Sequence, residues 1–201
     1  MSERYPAIAI FEFDSISAGL VAGDAMVKAA PLGAIYAGTV HPGKYLVLVS
    51  GDTASVDEAV RVGSRSETPA DMVFLPDVHP SVANAISGNA RGAPVGDEAL
   101  GVVETSTVAT AIDAADAGVK AAEVDLAAIR LADGLGGKGY VLFSGVVGEV
   151  EAALDAAVGR AMGHGTLVRS DLIAQLHEEM ADNLRGDLQF LSRVSSSHRG
   201  D

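Results

Sequence analysis

Residues 9–30, AIFEFDSISAGLVAGDAMVKAA, and residues 101–122, GVVETSTVATAIDAADAGVKAA, are two copies of one segment, aligned without a gap. Glu12, Asp24, Ala25, Val27, Lys28, Ala29 and Ala30 recur as Glu104, Asp116, Ala117, Val119, Lys120, Ala121 and Ala122. After a two-residue slip, GKYLVLVSG at 43–51 lies over GKGYVLFSG at 137–145. Self-similarity at a fixed spacing marks repeated structural units, so the chain reads as two similar domains. Keeping the same acid, lysine and glycine landmarks in both halves suits a molecule that tiles with itself. It suits a protein built around one pocket less well.

Within each copy the periodicity spells the same elements. Ala7–Phe13 alternates as a strand does and ends at Asp14-Ser15, which are helix-start residues. Ile16, Leu20, Gly23 and Val27 then fall on one face of an amphipathic helix, and Val108, Ile112, Ala115 and Val119 repeat that spacing. Asp24 and Lys28 stand four apart on the face expected to be exposed, as do Asp116 and Lys120, a small favourable pairing. Ala34–Val40, the turn His41-Pro42-Gly43 and Tyr45–Val49 predict an antiparallel strand pair. Its counterpart is Ala127–Ala132, the DGLGG run at 133–137 and Tyr140–Phe143.

A helix opening at Gly51-Asp52-Thr53 carries Val56, Ala59 and Val60, matched by Val150, Ala153 and Leu154. Met72–Leu75 and Leu167–Ile173 read as the fourth strands, followed by helices over about 81–87 and 175–185. The predicted order is β-α-β-β-α-β-α, twice: an α/β (α+β) chain of two tandem ferredoxin-like units, unpermuted. Gly88–Glu98 concentrates glycine, proline and charge and reads as the connection. The domains are therefore set at 5–90 and 100–185, with 91–99 as linker. Apolar periodicity stops after Leu191, and 186–201 is expected to be a mobile tail.

Composition excludes several classes. Of 201 residues, 48% are hydrophobic and only 20% charged, enough apolar material for two small cores and too much for a disordered chain. No apolar run approaches the ~20 residues of a membrane span, and the N-terminus lacks the pattern of a secretory leader. The chain contains no cysteine, which removes disulfides, thiol nucleophiles and thiolate metal ligands and fits the cytosol. Fourteen basic against 27 acidic residues give a net charge of −13, which disfavours a nucleic-acid partner.

Candidate catalytic motifs fail on context. Gly134-x-Gly136-x-x-Gly139 matches a dinucleotide fingerprint as a string, but that motif must lead from a strand into a helix. Here it leads into YVLFSG, a strand, so it reads as a tight turn. His177-Glu178-Glu179 begins like a zinc-protease helix, but Ala181 stands where the second histidine is needed. Glu12 and Glu104 sit at strand ends in equivalent places, which favours a structural role in each unit over acid–base catalysis. No cofactor is expected.

In combination these landmarks resemble the bacterial microcompartment shell family. Its single-domain members carry G-x-(I/V)-E-T, then A-A-D-A-x-(V/L)-K-A, then a glycine-rich pore loop. Gly101–Thr105, Ala114–Ala121 and Gly134–Gly137 match in the second unit; Ala9–Glu12, Gly23–Ala29 and His41–Gly43 match more loosely in the first. The resemblance covers residues 7–184 and is strongest to tandem-domain members from propanediol-utilisation compartments.

It implies a homotrimer whose six domains imitate a hexagonal facet tile, set in a shell in the cytoplasm beside other shell proteins and the enclosed enzymes. His41, Pro42, Gly43, Gly134, Leu135, Gly136 and Gly137 would line a central pore for small molecules. Lys28, Lys120, Asp24, Asp116 and His79 would lie at tile edges.

Two departures stand out. The relatives hold an iron–sulfur cluster on a pore cysteine where this chain has His41, so three imidazoles would make a polar constriction and are the one candidate metal ligand set. The family's Pro-Arg-Pro-His segment reads Asp77-Val78-His79-Pro80 and Ile173–His177 here, and its arginine contact does not carry over. The expected function is thus structural and non-enzymatic. The rival is a small-molecule sensor or enzyme using the cleft between two ferredoxin-like domains, which the lack of a convergent polar cluster in both copies disfavours.

Overall fold

A computed structural model describes residues 7–87 and 99–185. In the first unit, β1 (Ala7–Phe13) leads into α1 (Ile16–Ala29), followed by the hairpin β2 (Ala34–Val40) and β3 (Lys44–Gly51). Then come α2 (Thr53–Ser66), β4 (Asp71–Leu75) and α3 (Pro80–Ile86). The second unit repeats this as β5 (Ala99–Thr105), α4 (Val108–Ala121), β6 (Asp125–Leu131), β7 (Gly139–Gly145), α5 (Val147–His164), β8 (Leu167–Ile173) and α6 (Glu178–Arg185).

The start signals act as read. Ser15 caps α1 by accepting from the Ala18 N–H at 3.3 Å, and Asp52 caps α2 by accepting from the Ser55 N–H at 3.0 Å. Hydrogen bonds from Ser55 to the Asp52 carboxylate hold its pKa below the usual carboxylate value.

Each unit forms one antiparallel four-stranded sheet, in the orders β2-β3-β1-β4 and β6-β7-β5-β8. Alternation along β1 sends Ala7, Ala9, Phe11 and Phe13 into a core with Ala22, Met26, Val56 and Ala59 from α1 and α2. The other face of that sheet carries Ile8, Ile10, Val73 and Leu75. These share a core with Val108, Ile112 and Phe143 of the second unit. Helix α3 packs on α4 and β6 rather than standing free, and Val82 is buried in the same core. The two units are therefore joined by apolar packing as well as by the chain.

Three expectations need correction. Of the apolar face read on α1 only Gly23 meets its own sheet, together with Gly19, Ala22 and Met26, while Ile16, Leu20 and Val27 are exposed. The small stripe wins because the sheet approaches closely. A Cβ on Gly19 would come within 2.4 Å of the Tyr45 ring. On α4, by contrast, Val108, Ile112 and Ala115 are buried, because the first unit covers them. Asp116, expected on an exposed face, is buried for the same reason. Ala99, expected as the last linker residue, is the first residue of β5. The remainder of the expected linker (91–98) and the expected tail (186–201) lie outside the described residues.

Candidate functional site

The two glycine-bearing turns come together at one place. His41-Pro42-Gly43 joins β2 to β3, and residues 132–138 join β6 to β7. Gly43 has φ of +102°, and Gly134, Gly136 and Gly137 have φ of +77°, +65° and +86°, backbone that a side chain would strain. Gly137 is doubly constrained, since a Cβ there would lie 2.9 Å from Pro42 Cδ.

Across the gap the His41 N–H donates to Asp133 Oδ1 at 3.3 Å, and His41 Nδ1 lies 3.4 Å from the same oxygen. His41, Pro42, Gly43, Gly134 and Gly136 are exposed, Leu135 is half-buried and Gly137 is buried. The turns thus form a polar, solvent-facing rim of adjacent loops. An iron–sulfur cluster does not fit it, because the chain has no cysteine and His41 is the donor present. Among the described residues no group of three or more His, Asp or Glu side chains is placed to hold a metal ion.

A second polar constellation lies at the junction between units. Asp71, at the start of β4, accepts from Thr107 Oγ1 at 2.5 Å and Thr110 Oγ1 at 2.7 Å, both at the start of α4. His164 Nδ1, at the end of α5, lies 3.1 Å from its other oxygen. Burial pushes the Asp71 carboxyl up, but the two hydroxyls and the imidazole together outweigh it and hold its pKa below the ordinary value. Glu12 is wholly buried, forms an ion pair with Lys44 and accepts from the Val108 N–H at 2.7 Å, at the first residue of α4. Beside them Arg160 grips Asp113 through two hydrogen bonds of 2.8 and 2.9 Å, which raise the arginine's pKa.

The residues expected at tile edges divide into two sets. Asp116 accepts from the His79 N–H at 2.7 Å and from Lys120 Nζ at 2.6 Å, while Lys120 also donates to the Asp77 carbonyl. Lys120, Asp116 and His79 thus bond to one another's segments within the chain, stitching the segment after β4 to α4. Among the described residues Asp24 and Lys28 pair only with each other, at 2.5 Å on an exposed face.

Sequence reading missed Asp133, Asp71 and His164. Asp133 had a signal, standing at the head of the DGLGG turn. Asp71 had none, because its partner in the repeat is Arg169: they face Glu12 and Glu104 respectively.

Comparison with known proteins agrees with this geometry. The BMC domain family model matches twice, over residues 7–74 and 99–176. The bacterial microcompartment shell protein PduT of Citrobacter freundii is 39% identical over 176 residues, covering 87% of this chain and 95% of that protein. The carboxysome shell protein CsoS1C of Halothiobacillus neapolitanus is 41% identical over 90 residues, 43% of this chain and 87% of that protein. A crystal structure of a microcompartment protein from Desulfitobacterium hafniense superposes with a TM-score of 0.75 at 38% identity, covering 89% of this chain and 99% of that one. The chain therefore belongs to the bacterial microcompartment shell-protein family, as a member with two BMC domains in tandem.

Proposed function

We propose that this protein is a structural tile of a bacterial microcompartment shell, formed by three chains whose six domains close a ring around a pore. One observation carries the reading. Two equivalent units pack head to tail inside one chain, with β4 and α3 of the first seated on α4 and β6 of the second. That contact is heterologous, and a heterologous contact repeated between chains closes into a ring when the rotation allows.

Closure would bring three copies of His41–Gly43 and three of Gly134–Gly137 round one axis, since the two loops already touch within a chain. The pore would then carry His41 and Asp133 side chains on a rim that admits small polar molecules. Lys28 and Asp24 supply polar contacts on the exposed edge. Neighbouring shell proteins are the partners that family membership supports, and the role is structural rather than catalytic.

No described helix is long and apolar enough to cross a membrane, which fits a protein shell. His41 and Asp133, where the turn loops of the two units meet, are both exposed, which does not favour a sensor or enzyme site in an interdomain cleft there. Light scattering at micromolar concentration tests the assembly: three chains of 20.4 kDa should give a species of about 61 kDa. A monodisperse monomer would overturn the reading.

A further inference from the structure

The second helix differs in length between the two units. Helix α2 has 14 residues and α5 has 18. Counted to Asp71 and Arg169, which face Glu12 and Glu104, the connections that follow are equally long. Buried Val56, Ala59 and Gly63 of α2 match Val150, Ala153 and Ala157 of α5, so the additional residues form one extra turn at the end, Ala161–His164. Ala161 is buried and anchors that turn. His164 stands between two acids, with Nδ1 3.1 Å from Asp71 Oδ1 and Nε2 3.4 Å from Asp113 Oδ2. Asp71 belongs to β4 of the first unit and Asp113 to α4 of the second, so the ring spans their junction. Thr107 and Thr110 donate to the other Asp71 oxygen, and Arg160 holds Asp113.

The same cluster is not built at α1. In the ungapped alignment Ser15, Ala18 and Val21 take the places of Thr107, Thr110 and Asp113, and α2 ends before the place of His164. The edge strands differ too, since β4 carries Asp71 where β8 carries Arg169. Strand order is the same in both units, so the backbone alone does not decide which edge strand α4 receives. The side chains do. A carboxylate accepts from both hydroxyls and faces His164. A guanidinium has donors only, so the hydroxyls lose their acceptor, and a cation enters the neighbourhood of His164 and Arg160. Juxtaposed like charges suppress a wrong partner. We propose that the extra turn of α5 completes a matching lock on α4: it admits the edge bearing an acid, β4 of the same chain, and rejects the equivalent edge β8 of a second copy, which bears Arg169.

The lock lies within one chain and stands even if light scattering finds a monomer. Only its consequence, strict alternation of the two units round the tile, rests on the trimer reading. Because the chain has no cysteine, two reporter pairs can be introduced cleanly. Asp77→Cys with Lys120→Cys reports β4 on α4, where Lys120 reaches the Asp77 carbonyl. Gln175→Cys with Lys120→Cys reports β8 on α4, since Ile173 faces Leu100 as Leu75 faces Ile8 and Gln175 therefore corresponds to Asp77. Treated with a short bismaleimide, the full chain with the first pair should link within itself, and the chain with the second pair should give no multi-chain band on a denaturing gel. Exchanging the charges, Asp71→Arg with Arg169→Asp, should slow the first link about tenfold or more and produce multi-chain bands through the second pair. An unchanged first link, or its loss without multi-chain bands, would overturn the lock. Far-ultraviolet circular dichroism shows whether the exchanged chain is folded. If it is not, Asp71→Arg with His164→Asp sets an acid opposite the guanidinium and should restore the first link; failure to restore it would equally overturn the proposal.

Discussion

Glu12 and Glu104 stand at equivalent positions in the duplication, yet only Glu12 is sealed from solvent in the single chain. Its carboxylate satisfies Lys44 and the first N–H of α4, where the helix dipole also favours negative charge. Removing one partner of a buried pair leaves the other without compensation, so Glu12→Ala should cost about 3 kcal/mol in urea denaturation.

Asp71 makes a pH-dependent contribution. Its folded pKa is depressed, so its stabilisation is fully present above the unfolded value near ~3.9 and is lost as pH falls through the lower folded value. Asp71→Asn should destabilise the chain by about 2 kcal/mol at pH 7, from weakened hydroxyl bonds to a charged acceptor. The gap between variant and wild type should then close as pH falls through the lowered folded pKa. A gap that stays constant with pH in denaturation curves would show that Asp71 does not act through its charge.

Helices α1 and α4 share their polar spacing but differ in what covers them, and glycine decides how near each lies to its sheet. A Cβ on Gly118 of α4 would sit 2.3 Å from the Phe143 ring, buried and held on β7. On Gly63 of α2 the nearest atom would be Met26 Cε at 2.1 Å, the far end of a flexible side chain. Gly118→Ala should therefore destabilise by about 1–3 kcal/mol through overpacking. Gly63→Ala should be neutral or slightly stabilising, because Met adapts and alanine favours helix by up to ~1 kcal/mol. Equal denaturation midpoints for the two variants would contradict this account of packing.

The assembled tile carries its electrostatics with it. In the proposed trimer the net charge of −13 per chain triples, so tiles should repel one another at low ionic strength. The Debye length falls from ~30 Å at 0.01 M to ~8 Å at 0.15 M, which removes most of that repulsion while leaving apolar contacts intact. Sheets or tubes seen by negative-stain microscopy should be sparse at ~0.01 M salt and extensive at ~0.15 M. The trimer mass should stay constant over the same range, because apolar packing dominates the contact between domains. Dissolution of the trimer at the higher salt would mean that ion pairs, not apolar packing, hold the ring together.

The duplicated order of strands and helices was legible in the amino-acid string, because alternation, helical spacing and turn residues are local properties. The positive-φ glycines at 43, 134, 136 and 137 fell where the reading put two turns, since little but glycine is at ease there. Family membership was legible for the same reason: the landmarks keep their spacing.

Folding settled the environments. Asp24 and Asp116 have nearly the same neighbours in sequence, yet one is exposed and the other buried, because only α4 has a unit packed beside it. The apolar stripes on α1 and α4 differ in the same way, and Lys120, exposed like Lys28, reaches beyond its own helix to the Asp77 carbonyl. The meetings of His41 with Asp133 and of Asp71 with His164 join residues on different units. Local periodicity says which face of a helix is apolar; what covers that face depends on residues distant in the chain, and only packing brings those together.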